Sequence, residues 1–254
     1  MIFKLLFGSF HCFYTYKWVV FKKTATPISL YFLIQMFSPF VLGDMVGVGV
    51  VSVMASVAVE IIALMLISIV SVSVIRLVLL EEERRAMFSF ARREVKYLLY
   101  SVVVVLIFAV PTALASVSAV LDLIYPGIFF GSLIGFLIAL WCVCRISLVF
   151  PSVAVDKSMS FKKSWRLTKD SRWVLTFYVV VLSLVIYVPI GLLQAFLSSF
   201  PVAFISDFFD LIVHPLVDIF SILLFSFGLA IYYSDFFMSN PVLKGEGKST
   251  DCSE

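Results

Sequence analysis

The sequence predicts an all-α fold: a polytopic membrane bundle of six transmembrane helices, with amphipathic interfacial helices on its cytoplasmic side. Three observations predict it. The 254-residue chain is 62% hydrophobic with a mean hydropathy of +1.12, whereas a soluble domain is about half apolar. Six runs are each long enough to cross hydrocarbon, which takes about 20 helical residues. All 19 Lys and Arg residues fall on one side of that weave, in clusters from Lys4 to Lys23, Arg76 to Lys96, Arg145 to Arg172, and at Lys244 with Lys248. The alternating segments around Asp44, Asp122, and Asp207 with Asp210 carry only acids. Basic residues near helix ends stay in the cytoplasm, so the pattern places both termini there.

Residues 1–23 read as an N-terminal interfacial segment. Phe3, Phe7, Phe10, Tyr14, Trp18 and Phe21 recur at three- or four-residue steps, while Lys4, His11, Thr15 and Lys22 line another face. That pattern suits a helix lying in the headgroup plane. No small-residue cleavage pattern follows, so a removable signal peptide is not expected.

Residues 24–238 read as the six-helix domain, with spans at roughly 24–43, 49–79, 95–120, 126–149, 173–198 and 215–238. The second is longer than needed, so it tilts or projects, with Arg76 snorkelling to headgroups. Each odd-numbered span follows a basic segment and carries a proline in its outer half: Pro39, Pro111 and Pro189. Their similar positions read as three copies of one kinked helical hairpin. Pro126 and Pro215 open the fourth and sixth spans, where a missing amide hydrogen costs nothing. Gly131, Gly135 and Ala139 lie four apart and allow a neighbouring helix to approach closely. Residues 239–254 mix Pro, Gly, Lys, Ser and acids without periodicity, and read as a disordered cytoplasmic tail.

The stretch from Tyr125 to Trp173 carries a recognisable pattern. It runs Tyr125-Pro126-Gly127-Ile128, then Arg145-Ile146-Ser147-Leu148-Val149-Phe150-Pro151, then Asp156-Lys157, Phe161, Ser164 and Arg166-Leu167-Thr168. It resembles the YciC-like multi-pass proteins of the bacterial inner membrane. It is also similar to the membrane domain of some glycerophosphodiester phosphodiesterases. The closest match covers about a fifth of the chain. The resemblance implies a polytopic inner-membrane protein and no enzyme, since the phosphodiesterase chemistry resides in a separate soluble domain. Local physics gives these residues further readings. Arg145 anchors a helix end at the headgroups and Pro151 ends the span. Ser158 or Ser160 caps a short amphipathic helix, with Phe161 and Trp165 facing lipid and Lys162, Lys163, Arg166 and Lys169 facing water. Arg76, Arg145, Phe161, Trp165, Arg166 and Trp173 are thus the expected interfacial anchors.

Most catalytic signatures are absent: no HExxH, paired CxxC, Walker loop or GxSxG occurs. Ser160-Phe161-Lys162-Lys163 formally matches SxxK without its supporting motifs. Cys142 and Cys144 are two apart on a helix and point in different directions, so they are not a metal pair. No cofactor, metal or nucleic-acid partner is expected; the net charge of +3 comes from groups beside apolar spans. Membrane lipids are the expected contacts, with a membrane-protein partner or a second copy alongside. Two features invite a functional reading. Glu60, about 15 Å inside the second span, costs at least about 2–3 kcal/mol as an unpartnered carboxylate. It reads either as a proton or cation site or as a protonated carboxyl bonded to a neighbouring helix. Asp207, Asp210, His214 and Asp218 would share one face if continuous helix held them. A helix starting at Pro215 would break that face, leaving Asp218 at a favourable helix N-terminus. The leading expectation is a non-enzymatic scaffold or partner-binding module. The alternative is a small permease using Glu60, with His214 and Asp218.

Overall fold

The computed structural model describes residues 1–43, 50–81, 92–121, 126–157, 159–169, 172–198 and 208–239. Every regular element among them is helical. In chain order they are α1 (Ile2–Gly43), α2 (Val50–Leu80), α3 (Arg92–Leu121), α4 (Pro126–Ile146), α5 (Val149–Ala154), α6 (Phe161–Leu167), α7 (Arg172–Ser198), a π turn (Phe209–Val213) and α8 (His214–Ser239). Five stretches are long and apolar enough to cross a membrane: Met54–Leu80, Arg92–Val117, Phe130–Ala154, Trp173–Leu197 and Leu211–Phe236. They are compatible with a multi-pass membrane protein. The expected first span lies within α1 and is not among the five. The expected tail at 239–254 lies, beyond Ser239, outside the described residues.

Three expectations about the helices change. The first concerns residue 23, where α1 does not divide. Leu5, Ser9, Val20, Thr24 and Tyr31 are all buried along it, and Lys4 Nζ lies 2.8 Å from Asp235 of α8. The N-terminal segment is therefore continuous with the first long helix and packs against α8. Its aromatic stripe faces outward at Phe3, Phe7, Tyr14 and Trp18, while a second stripe packs inward. Phe13 meets Phe220 edge-on at 5.1 Å, and Gly8 brings the backbone close to Ile231.

The second change is at the start of α8. Pro215 does not open the helix; the π turn at Phe209–Val213 runs straight into His214. In α geometry the Pro215 ring would strike the carbonyl of Leu211, and widening to the π register makes room for it. The third change is at Pro151, which does not end a helix. It lacks the N–H that would continue α4 past Ser147, so α4 stops at Ile146 and Phe150 N–H donates to Ser147 O instead. Pro151 then sits in the first turn of α5, where its missing N–H leaves no bond unmade. Every residue of α5 is buried.

Packing follows small residues. Gly135 of α4 faces Pro111 of α3, and Ala139 is buried, whereas a Cβ on Gly131 would meet nothing. The tightest approach is at Gly228 of α8. Tyr178 of α7, fully buried, lies over Gly228, donates its hydroxyl to Leu224 O at 2.9 Å, and sits 3.0 Å from Ser9 Oγ of α1. One side chain thus locks three helices. A methyl at Gly228 would collide with the Tyr178 ring and hydroxyl. We expect Gly228→Ala to cost about 1–3 kcal/mol of stability, the usual penalty of overpacking a core. Thermal unfolding in detergent checks this; an unchanged midpoint would show that the helices part easily.

Candidate functional site

A network of charged side chains lies where α2, α3, α4 and the α5–α6 segment meet. The construction starts from α5. Its C-terminus closes with Lys157 N–H donating to Ser152 O at 2.8 Å and Asp156 N–H to Val153 O at 3.1 Å. This paired pattern needs a left-handed residue at the first position past the cap, normally glycine. Asp156 occupies it with φ of 60°. Aspartate tolerates that region better than most residues, and its side chain supplies what glycine lacks.

That carboxylate is a bridge. Arg76 of α2, buried, donates through Nη1 to Asp156 Oδ2 at 2.6 Å and to Ala154 O at 2.8 Å. Arg93 of α3 reaches the same Oδ2 at 3.2 Å, while its Nε lies 2.9 Å from the buried carboxylate of Glu94. Burial alone would push the Asp156 carboxyl up, but the hydrogen bonds and charges of Arg76 and Arg93 outweigh it and hold it below its ordinary value. Arg76, expected to snorkel to lipid, is thus turned inward. A buried guanidinium needs its donors satisfied, and the α5 terminus offers a carbonyl and a carboxylate within reach.

Arg145 is also turned inward. It is 5% exposed, with its guanidinium carbon 4.4 Å from the Trp165 ring centre and 5.4 Å from that of Trp141. It donates to Trp165 O. Its own carbonyl, left over in the last turn of α4, accepts from Ser164 Oγ at 3.0 Å, and Thr168 Oγ1 lies 3.0 Å from the same oxygen. Helix α6 is capped by Ser160, whose Oγ accepts from Lys163 N–H, so of the two expected caps Ser160 serves. Phe161 and Trp165 are half-buried. Phe161 packs edge-on against Tyr100 at 4.9 Å and Trp165 against Trp141 at 5.3 Å. Arg166 is exposed, and Trp173 is 52% exposed beside Phe177.

Between α3 and the α5–α6 segment lies a cleft of about 530 Å³. Among the described residues, Arg92, Arg93, Lys96, Lys157 and Lys163 line it, against the one carboxylate of Asp156. Val153 and Met159 supply apolar wall, and Tyr100 and Ser160 add hydroxyls. Five cations around one carboxylate can hold an anion by charge-assisted hydrogen bonds. Sequence reading missed the cleft, because its walls come from segments 60 residues apart. Asp156 stood in the quoted pattern but had no role there; a charged residue directly after the fully apolar Val153-Ala154-Val155 was the available signal.

Of the intramembrane candidates, Glu60 and Asp218 both lie within electrostatic reach of the buried Tyr31 of α1. Glu60 is exposed on α2, flanked by outward-facing Val57 and Ile61. His214 Nε2 lies 3.3 Å from Gln194 Oε1, and Tyr187 donates to Asp218 Oδ1 at 2.9 Å. Ser221 Oγ lies 3.2 Å from the Tyr187 hydroxyl. These contacts link α8 to α7 on either side of Pro189. Asp207 and the side chain of Asp210 lie outside the described residues. Among the described residues, no group of three His, Cys, Asp or Glu side chains is placed to hold a metal. No protein-family model, curated protein or solved structure matches this chain.

The Asp156 bridge has a definite pH signature. A carboxyl held low contributes stability that is complete above its unfolded value of about 3.9 and is lost as pH falls through its lower folded value. Asp156→Asn keeps a residue that tolerates the left-handed backbone but removes the charge. We expect it to lower stability at neutral pH by about 1 kcal/mol, since buried Arg76 loses its charged acceptor while solvent screens the half-exposed carboxylate. We also expect the acid-side decline to flatten. Unfolding midpoints measured from neutral pH down to about pH 3 check both; identical profiles for the two proteins would remove the bridge.

Proposed function

We propose that this chain is a six-span protein of the bacterial inner membrane with both termini in the cytoplasm, and a non-enzymatic scaffold or partner-binding module. The reading keeps the chain within the YciC-like family it resembles and treats the spans as three related hairpins. The observation that carries it is the basic end of the bundle. The α5–α6 segment is held there by buried Arg76 and Arg145, and leaves Lys162, Arg166 and Lys169 exposed. Such a surface is rigid and presents charge to headgroups or to an acidic partner. The orientation rests on the one-sided distribution of Lys and Arg.

The permease alternative asks for Glu60, His214 and Asp218 to line a common path. Against it, Glu60 faces outward on α2, while His214 and Asp218 are engaged with α7. Under the scaffold reading Glu60→Gln leaves any proton-dependent flux in reconstituted vesicles unchanged. Abolished flux with intact assembly would transfer support to the permease.

Partner capture tests the scaffold directly. Replacing Lys162, Arg166 and Lys169 with Glu spares the buried docking contacts, so the fold is retained while the presented charge is reversed. We expect a partner copurified in gentle detergent to fall at least about tenfold, as for reversal of several rim charges. Orientation has its own check in the native thiols. An impermeant reagent leaves Cys12 and Cys252 unlabelled in intact cells and reaches Cys252 once the cytoplasmic face is opened. Labelling of Cys252 in intact cells would reverse the proposed orientation.

A further inference from the structure

We propose that the cleft between α3 and the α5–α6 segment is a binding site for a phosphate-bearing anion, supplied either by a phospholipid headgroup or by a free phosphate compound. The charge of the walls carries the argument first. Arg92, Arg93, Lys96, Lys157 and Lys163 surround a concave space, and among the described residues the one carboxylate that lines it, Asp156, already accepts from two arginines. Cations therefore outnumber carboxylates among the described lining residues. Cations crowded into a partly enclosed space repel one another, and an anion with several acceptor oxygens relieves that repulsion while meeting arginine and lysine donors. The volume, about 530 Å³, lies in the range of small-molecule sites and exceeds what one bare phosphate needs.

The second observation is the face of α3 on which the outer cations stand. Arg92 and Lys96 are followed at alternating three- and four-residue steps by Leu99, Val103, Leu106 and Val110, all on one helical face. Leu99, Leu106 and Val110 are among the most exposed apolar side chains of the helix, at 58%, 63% and 66%. A phosphate at Arg92 and Lys96 thus has a continuous apolar track leading away from it along the helix. Phospholipids combine these two chemistries, and Val153 and Met159 add apolar wall to the cleft. The lipid source rests on the membrane spans proposed above, because it needs the cleft at headgroup level. The free-phosphate source does not.

The test uses the full chain, with Arg92→Gln/Lys96→Gln against Lys17→Gln/Lys22→Gln. The first pair removes two cleft cations outside the Arg76–Asp156–Arg93 bridge. The second removes two cations of α1 that do not line the cleft. In one arm, protein in phosphatidylcholine nanodiscs with increasing phosphatidic acid is released and its retained lipid is measured by native mass spectrometry. In the other, detergent-solubilised protein is titrated with inorganic phosphate at constant ionic strength and followed by thermal stabilisation relative to chloride. We expect saturable binding that weakens about tenfold in the cleft pair and less than about twofold in the control pair. Saturation by phosphatidic acid alone assigns a lipid headgroup, and saturation by inorganic phosphate assigns a site for free phosphate as well. No saturation in either arm overturns the site, and so does equal weakening by both pairs, which would mean diffuse surface charge. Neither arm depends on which face of the membrane the cleft occupies, so a reversed orientation in the thiol experiment leaves the site standing.

Discussion

The carboxylate of Asp156 is the point on which the basic end of the bundle closes. Two arginines from different helices converge on one oxygen, and one of them is buried. A buried guanidinium that loses its acceptors is among the costlier errors a fold can contain, so Arg76 fixes where the end of α5 must lie. The left-handed backbone at Asp156 follows from that requirement. Glycine would satisfy the turn but not the arginines, whereas aspartate satisfies both. Arg145 repeats the logic with different groups: tryptophan faces replace a carboxylate, and a peptide carbonyl takes the hydrogen bond.

These contacts turn a connecting segment into a structural layer. Among the described residues between Ile146 and Lys169 the chain forms a buried helix, a left-handed turn and a capped helix docked by aromatic rings. Its hydroxyls cap carbonyls that the end of α4 leaves over, so the polar backbone is satisfied locally where apolar surroundings would make it costly. The same docking places Lys157 and Lys163 across from Arg92 and Lys96, which is what creates the cleft. Structure and candidate function therefore share one origin, the folding of α5 and α6 back against α2, α3 and α4.

Much of the helical architecture was legible in composition and periodicity. Long apolar runs have one low-energy solution in lipid, so the helices at 50–80, 92–121 and 172–198 follow from hydrophobicity alone. What sequence could not show was which apolar face of a doubly apolar helix turns inward. The aromatic stripe of residues 3–18 looked like the buried side of an interfacial helix, yet Leu5, Gly8, Ser9, Phe13 and Val20 make the packing face. Small residues decided it, because they allow α8 to approach. The prolines misled in the opposite direction. Pro215 and Pro151 were read as boundaries, but a π turn absorbs one and a first helical turn absorbs the other. For the site, sequence marked Arg76, Arg145, Phe161 and Trp165 as special and gave them a lipid-facing role. Their partners lie 20 to 80 residues away, beyond any local pattern.

The central claim is that the α5–α6 segment is a docked layer held by inward-turned cations. Hydrogen exchange across residues 149–167, measured on the protein in phosphatidylcholine nanodiscs, tests it most directly. A docked layer exchanges slowly and as a unit, and replacing Arg145 with Gln accelerates α6 while leaving the spans protected. Exchange of the whole segment at the rate of a solvated loop in the unaltered protein would contradict the account.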